Sequence, residues 1–174
     1  KRQAIDSAAA DKAANFIEIC SAHGLPMLSF VDTPGFMVGP DSEKEGAFRR
    51  MGELFKHGAR IKTPLVGIIL RRGYGLGAMA MMGGSFVDPI YSASWPNGEF
   101  GGMGLEGYVK LGFKKELEAE ETEEKKKALF DKLVARMYEV GKATEAAAHL
   151  EMDAVIDPAS TRETILKAFK SFGA

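Results

Sequence analysis

The sequence predicts an α/β domain in which parallel strands alternate with helices. Three observations carry that prediction. The first half reads helix, strand, helix, strand, and consecutive strands joined by a helix favour parallel pairing through a right-handed crossover. Two of the strands run directly into glycine-bearing turns. The 174 residues suffice for one domain with a sizeable core, and 45% hydrophobic with 27% charged residues is a globular balance.

Asp11 to Ala22 reads as the first helix, with Asp6 or Ser7 near its start and Gly24 and Pro26 ending it. Cys20 lies at helical spacing from Ala13, Phe16 and Ile17, which predicts a buried, inert thiol. Met27 to Val31 is a short buried strand. Glu43 to Ile61 reads as one helix with Ala47, Phe48, Met51, Leu54, Phe55 and Ala59 on one face. Pro64 stops it, and Leu65 to Leu70 is the next strand. Met79 to Met82 starts a helix that Gly83-Gly84 ends after about one turn. Ile90 to Trp95 is a further strand, and the glycine-dense Pro96 to Gly107 is expected to be turns. The charge-rich run Lys114 to Lys127 reads as a solvated face leading into a helix with Leu129, Phe130, Leu133, Val134 and Met137 at helical spacing. Val155-Ile156 is a last short strand. Ser160-Thr161-Arg162-Glu163 is a capping-box pattern opening a helix that carries Ile165, Leu166 and Phe169.

Composition narrows the function classes. A net charge of −1 argues against nucleic-acid binding. The single Cys20 permits no internal disulfide and fits a reducing compartment, hence a cytoplasmic location. No apolar run approaches the ~20 residues a bilayer requires, so no membrane partner is expected. His23, His57 and His149 fall in no metal-ligand spacing, and no metal site is expected. No Gly-x-Ser-x-Gly elbow or Gly-Lys-Ser/Thr phosphate loop appears. Residues 1–174 are read as one domain, and the opening Lys1-Arg2-Gln3, without Met, reads as the start of a piece of a longer protein.

The chemistry points to the two turns. One is Asp32-Thr33-Pro34-Gly35-Phe36. The other is Arg71-Arg72-Gly73-Tyr74-Gly75-Leu76-Gly77-Ala78. Two strand-then-glycine turns on one sheet can aim backbone N–H groups at one spot, which suits an oxygen gaining negative charge. Gly77 and Ala78 are expected at a helix start, where donors are unpaired. Gly35 and Phe36 offer a second pair. Asp32 reads as a turn residue bonding its own backbone, with a general base as the alternative. Gly73-x-Gly75-x-x-Ala78 also satisfies a relaxed dinucleotide fingerprint, but the helix after it is too short for that role.

Several longer motifs carry a resemblance. They are Ala4-Ile5-Asp6-Ser7, Asp11-Lys12-Ala13-Ala14, Asp32 to Gly39, Gly73 to Met81, Trp95 to Gly104 and Val155 to Arg162. In order, and across nearly the whole chain, they resemble the carboxyl-terminal half of biotin-dependent acyl-CoA carboxyltransferases of the acetyl-/propionyl-CoA carboxylase β-subunit type. The resemblance implies a crotonase (ClpP-like) fold of repeated β-β-α superhelical turns. It implies a biotin-side half-site, with Gly77, Ala78, Gly35 and Phe36 as oxyanion donors. Tyr74, Gly75, Met79, Ala80 and Pro34 would line the biotin site. The ureido oxygen of biotin would be held at Gly77 and Ala78, and biotin itself would act as the base toward the acyl-CoA.

The implied partners are an amino-terminal acyl-CoA-binding domain, a biotin carboxyl carrier protein, a biotin carboxylase and further copies in a homo-oligomer. Phe100, Met103 and Leu105 are expected to supply partner surface. The chain departs from propionyl-type relatives at Ala80, where they commonly have Asp, and at the extra residue Leu76. The rival readings are the carboxyltransferase subunit of a biotin-dependent decarboxylase, a crotonase-type hydratase or isomerase using Glu99, and a non-enzymatic assembly module.

Overall fold

The structure, a computed structural model, describes residues 4–173; Lys1-Arg2-Gln3 lie outside them. Helix α1 (Ser7–Ala22) starts where Asp6 caps it, the carboxylate accepting from the Ala9 N–H at 2.8 Å. Strand β1 (Met27–Thr33) follows the Gly24 and Pro26 break. The single helix expected over Glu43–Ile61 is instead two, α2 (Pro40–Lys44) and α3 (Ala47–Gly58). Gly46 between them sits at φ +74°, a left-handed geometry that a continuous helix cannot contain. Ala47, Met51 and Leu54 are buried as expected, but Phe48 is 69% exposed.

Strand β2 (Leu65–Tyr74) extends four residues past its expected end and runs straight into α4 (Gly75–Met81). The expected glycine-dense turn is therefore a strand-to-helix junction. Strand β3 (Tyr91–Ser94) pairs with the first half of β2, and β4 (Glu99–Gly101), in the stretch expected to be turns, pairs with its last residues. Then come α5 (Leu105–Gly112), α6 (Lys114–Glu118), α7 (Glu123–Val140), α8 (Ala143–Ala148), β5 (Ala154–Val155), a 3₁₀ turn at Pro158–Ser160 and α9 (Thr161–Ser171).

All the strand pairs are parallel, in the order β1-β2-β3-β5 with β4 also on β2. One core cluster fills the space beside the junction with Val31, Ile69, Ala78, Met82 and Phe100. A second joins α1, α3 and α4 through Ala10, Ala14, Leu54 and Ala80. Cys20 is buried against Met27 and Leu65, whereas Phe16 of its expected face is exposed.

Three local expectations change. The α7 face is present, yet none of its residues is fully buried, because the helix lies over α5 rather than in the core. Ser160 makes no side-chain cap; its hydroxyl donates to the Asp157 carbonyl, and Asp157 caps the 3₁₀ turn instead. Phe100 and Leu105 are buried, so they are not partner surface, although Met103 is 40% exposed. Exposed large apolar groups include Leu28 and Phe30 on edge strand β1, Phe16 on α1, and Val38.

Candidate active site

The register of β1 against β2 builds the site. Pairing runs regularly from Met27↔Leu65 to Val31↔Ile69, then resumes at Thr33↔Gly73. Asp32 alone therefore faces Leu70, Arg71 and Arg72, in a bulge on β2. In a regular strand, Arg71 and Arg72 would point to opposite faces. The bulge lets both reach one carboxylate. Arg71 Nη2 donates to Asp32 Oδ2 at 2.9 Å, and Arg72 Nε and the Arg72 backbone N–H donate to Oδ1 at 3.0 and 3.2 Å. Burial raises the Asp32 pKa, but the hydrogen bonds from Arg71 and Arg72 outweigh it and hold the carboxyl below its ordinary range. Asp32 is thus a fixed anion inside β1, neither the turn-bonding residue expected nor a group poised to take a proton.

Beyond the bulge the two expected turns meet. A Cβ added to Gly77 would lie 2.7 Å from the Gly35 carbonyl carbon, 2.8 Å from Gly35 Cα and 2.8 Å from the Phe36 nitrogen. The backbones are in direct contact, and only glycine fits at position 77. Gly35 itself needs to be glycine, with φ +108° and a Cβ position 3.2 Å from the Tyr74 carbonyl oxygen. Gly75, at φ +60°, packs as tightly against the Gly102 carbonyl.

The donors differ in availability. The Gly35 N–H donates to Thr33 Oγ1 at 3.2 Å. Ile5 donates to the Gly35 carbonyl and accepts from Met37, so in this parallel bridge the Phe36 N–H and C=O turn away from Ile5, and the Phe36 nitrogen lies beside Gly77. Tyr74 is the N-cap of α4, which makes Gly77 the third helical residue and Ala78 the fourth. The N–H groups of the first three helical residues have no partner inside a helix; the fourth begins the ladder to the cap carbonyl. Sequence spacing put Gly77 and Ala78 together as unpaired donors. The structure leaves Gly77 in that position and gives Ala78, fully buried, to the helix.

The expected biotin-lining residues divide. Pro34 and Met79 are half-buried beside the junction, and Gly75 forms its first helical residue. Tyr74 is only 4% exposed, and its hydroxyl donates to Glu99 Oε2 at 2.7 Å. Burial, then the Glu99 hydrogen bond, push the phenol far above its ordinary pKa. The same bond holds Glu99, the carboxylate that the hydratase reading required to be aimed at a substrate. Ala80 faces away from the junction, into the cluster with Ala10, Ala14 and Leu54.

Sequence reasoning missed the Asp32–Arg71–Arg72 clamp. Its signal was present as adjacent arginines closing one strand and an aspartate closing its neighbour. The junction lies at the carboxyl ends of β1 and β2, where parallel sheets present ligand sites. A cavity of about 570 Å³ lined by Lys62, Thr63, Leu65 and Asp88 lies at the other ends of the strands. Gly35, Phe36, Gly75 and Gly77 do not line it.

A model of the carboxyl transferase domain matches residues 4–172. The chain is 33% identical over 165 residues to the biotin-dependent acetyl-/propionyl-coenzyme A carboxylase beta6 subunit of Mycobacterium tuberculosis, covering 94% of this chain and 34% of that protein. A solved structure of a single-chain, multi-domain long-chain acyl-CoA carboxylase superposes with a TM-score of 0.83 at 53% identity, covering 95% of this chain and 16% of that one. The crystal structure of the transcarboxylase 12S hexamer superposes with a TM-score of 0.88 at 29% identity, covering 98% and 32%. The crotonase-like fold expected from the resemblance is the one these structures share. The chain spans about a third of the curated relative's length.

Proposed function

The chain belongs to the carboxyl transferase domain family, and from that premise we propose that it forms the biotin-side half of a biotin-dependent acyl-CoA carboxyltransferase site. The observation that carries the reading is the contact of Gly77 with the Gly35–Phe36 peptide. It sets the backbone of Gly77, in α4, against the peptide of Phe36, which follows β1. The residues fit a ureido oxygen. Gly75 and Gly77 leave the backbone without side chains, and Phe36 is turned from its Ile5 partner toward the junction.

Bound at this seam, biotin supplies the carboxyl group and the basic atom. The chain's own part is electrostatic. Gly77 and Phe36 donate to the oxygen on which charge builds, Gly35 supplies the turn that aims Phe36, and Ala78 closes the wall behind them. No side-chain acid or base is needed, consistent with Asp32 and Glu99 both being bound to partners. Helix α4 has only seven residues, so the local N–H groups, not a long helix dipole, do this work.

The other half of the site is an acyl-CoA-binding domain. Biotin arrives on a carrier protein after loading by a biotin carboxylase, and the single buried thiol fits a cytoplasmic setting. Among the described residues no helix is long and apolar enough to cross a membrane. The acyl group is long-chain: identity is 53% to the long-chain enzyme against 33% to the acetyl-/propionyl type.

The test is carboxylation by the full-length protein and its biotin-carrying partners, comparing palmitoyl-CoA with propionyl-CoA. A higher kcat/KM for palmitoyl-CoA supports the proposal. Equal or reversed preference overturns the chain length, and no biotin-dependent carboxyl transfer to either overturns the reaction.

A further inference from the structure

We propose that Asp32 and Arg72, with Arg71 in support, are positioning residues for carboxyl transfer, holding the β2 bulge that seats Gly77 against Gly35 and Phe36. The proposal rests on the oxyanion reading of that seam.

The register shows what the bulge does. Continued regularly from Val31↔Ile69, the ladder would set Thr33 opposite Arg71. With the bulge, Thr33 faces Gly73. Two residues of β2 are absorbed opposite Asp32. Without the bulge, the same residues in a regular ladder would start α4 about 6–7 Å farther along the strand direction, at ~3.3 Å per residue. Gly77 would then miss Gly35 and Phe36, with which it is now in contact.

The clamp acts on the backbone as well as on side chains. Asp32 Oδ1 accepts from the Arg72 peptide N–H and also from Arg72 Nε, so one oxygen fixes both the bulged main chain and the side chain leaving it. Oδ2 takes Arg71. Apolar residues could fill such a bulge without bringing a charge out of water, but they have no directed acceptor with which to fix a register. Arg72 Nη2 is buried with no hydrogen-bond partner, so the guanidinium is held here at a desolvation cost. A neighbouring bond secures the far side of β2, where Tyr74 reaches Glu99 on β4.

The experiment uses the full-length enzyme carrying this domain and follows carboxyl transfer from a carboxylated acyl-CoA to free biotin, with decarboxylated acyl-CoA and carboxybiotin as the products. The variants are Asp32→Asn, Arg72→Gln, both together, Arg71→Lys and Gly77→Ala. The clamp predicts a kcat at least tenfold lower for Asp32→Asn, with KM for the acyl-CoA within twofold and circular dichroism unchanged. Arg72→Gln matches it, the double variant is no slower than the slower single, and Arg71→Lys keeps at least half the rate. If Asp32→Asn does not fold, Arg72→Lys carries the same comparison. A folded Asp32→Asn enzyme within twofold of the parent kcat overturns the proposal. So does an equal change in kcat and in KM for the acyl-CoA, which marks a general structural role. Gly77→Ala separates the two ideas. If it is slow while Asp32→Asn is not, only the clamp fails; if it also keeps full rate, the oxyanion reading fails.

Discussion

Replacing Gly77 by alanine is the sharpest perturbation of the seam, because it adds one methyl group where two backbones touch. The new Cβ would lie 2.7 Å from the Gly35 carbonyl carbon, against the 3.4 Å at which ordinary contact begins. The atoms in the way are backbone, so no rotamer change relieves the overlap. Helix α4 and the Gly35–Phe36 turn must separate by about 0.7 Å, the difference of those two distances. Two effects on stability oppose each other. Alanine is favoured over glycine inside a helix by about 1 kcal/mol. Overpacking costs about 1–3 kcal/mol. The expected net loss is therefore about 0–2 kcal/mol. The rate answers to geometry instead: a misplacement near 1 Å costs about 10²-fold, comparable to losing one oxyanion donor. The assay is carboxyl transfer in the full-length enzyme beside urea unfolding of the same variant. A fall in rate of about a hundredfold with a small stability change is expected. A folded Gly77→Ala enzyme at full rate refutes the seam as the place where charge is stabilised.

Tyr74→Phe removes a hydrogen bond to a carboxylate and is expected to cost about 1.5 kcal/mol in chemical unfolding, since Glu99 retains some water. Both bonded phenols titrate high: burial and Glu99 raise Tyr74, and the Glu106 hydrogen bond followed by burial pushes Tyr138 up to about 12. A raised folded pKa means that their stabilisation is whole below about pH 10, the ordinary tyrosine value, and is lost as pH rises above it. Thermal unfolding at pH 9 to 12 should show this, with a shallower fall in Tyr74→Phe. Asp32 has the opposite sign, because its folded pKa is lowered; its contribution is present above about pH 4 and is lost as pH falls further. Asp32→Asn should flatten the acid limb of the stability profile, and an unchanged limb would show the clamp to be energetically silent. Leu28 and Phe30 on edge strand β1 should drive self-association of the isolated domain. Sedimentation should show Phe30→Lys shifting it toward monomer.

The sequence by itself determined the α/β class, the parallel pairing of the first two strands, and the two turns that the fold brings into contact. Those features are written in local spacing: apolar runs of strand length, helical periodicity in α1 and α3, and glycines where strands end. It also placed Gly35 and Gly77 in those turns as backbone donors, although the contact between them was not visible. The tertiary structure alone decided the rest. Gly46 reads as an ordinary helical residue until its φ of +74° splits the helix. Ala78 looks like a donor until β2 is seen to run unbroken to Tyr74, which starts α4 four residues before the expected Met79 and makes Ala78 its fourth residue. Asp32 looks like a turn residue until a register shift places two arginines opposite it. The physical reason is common to all three. Periodicity and propensity act within a turn of helix or a few residues of strand, whereas register is set by partners 39 and 40 residues away along the chain.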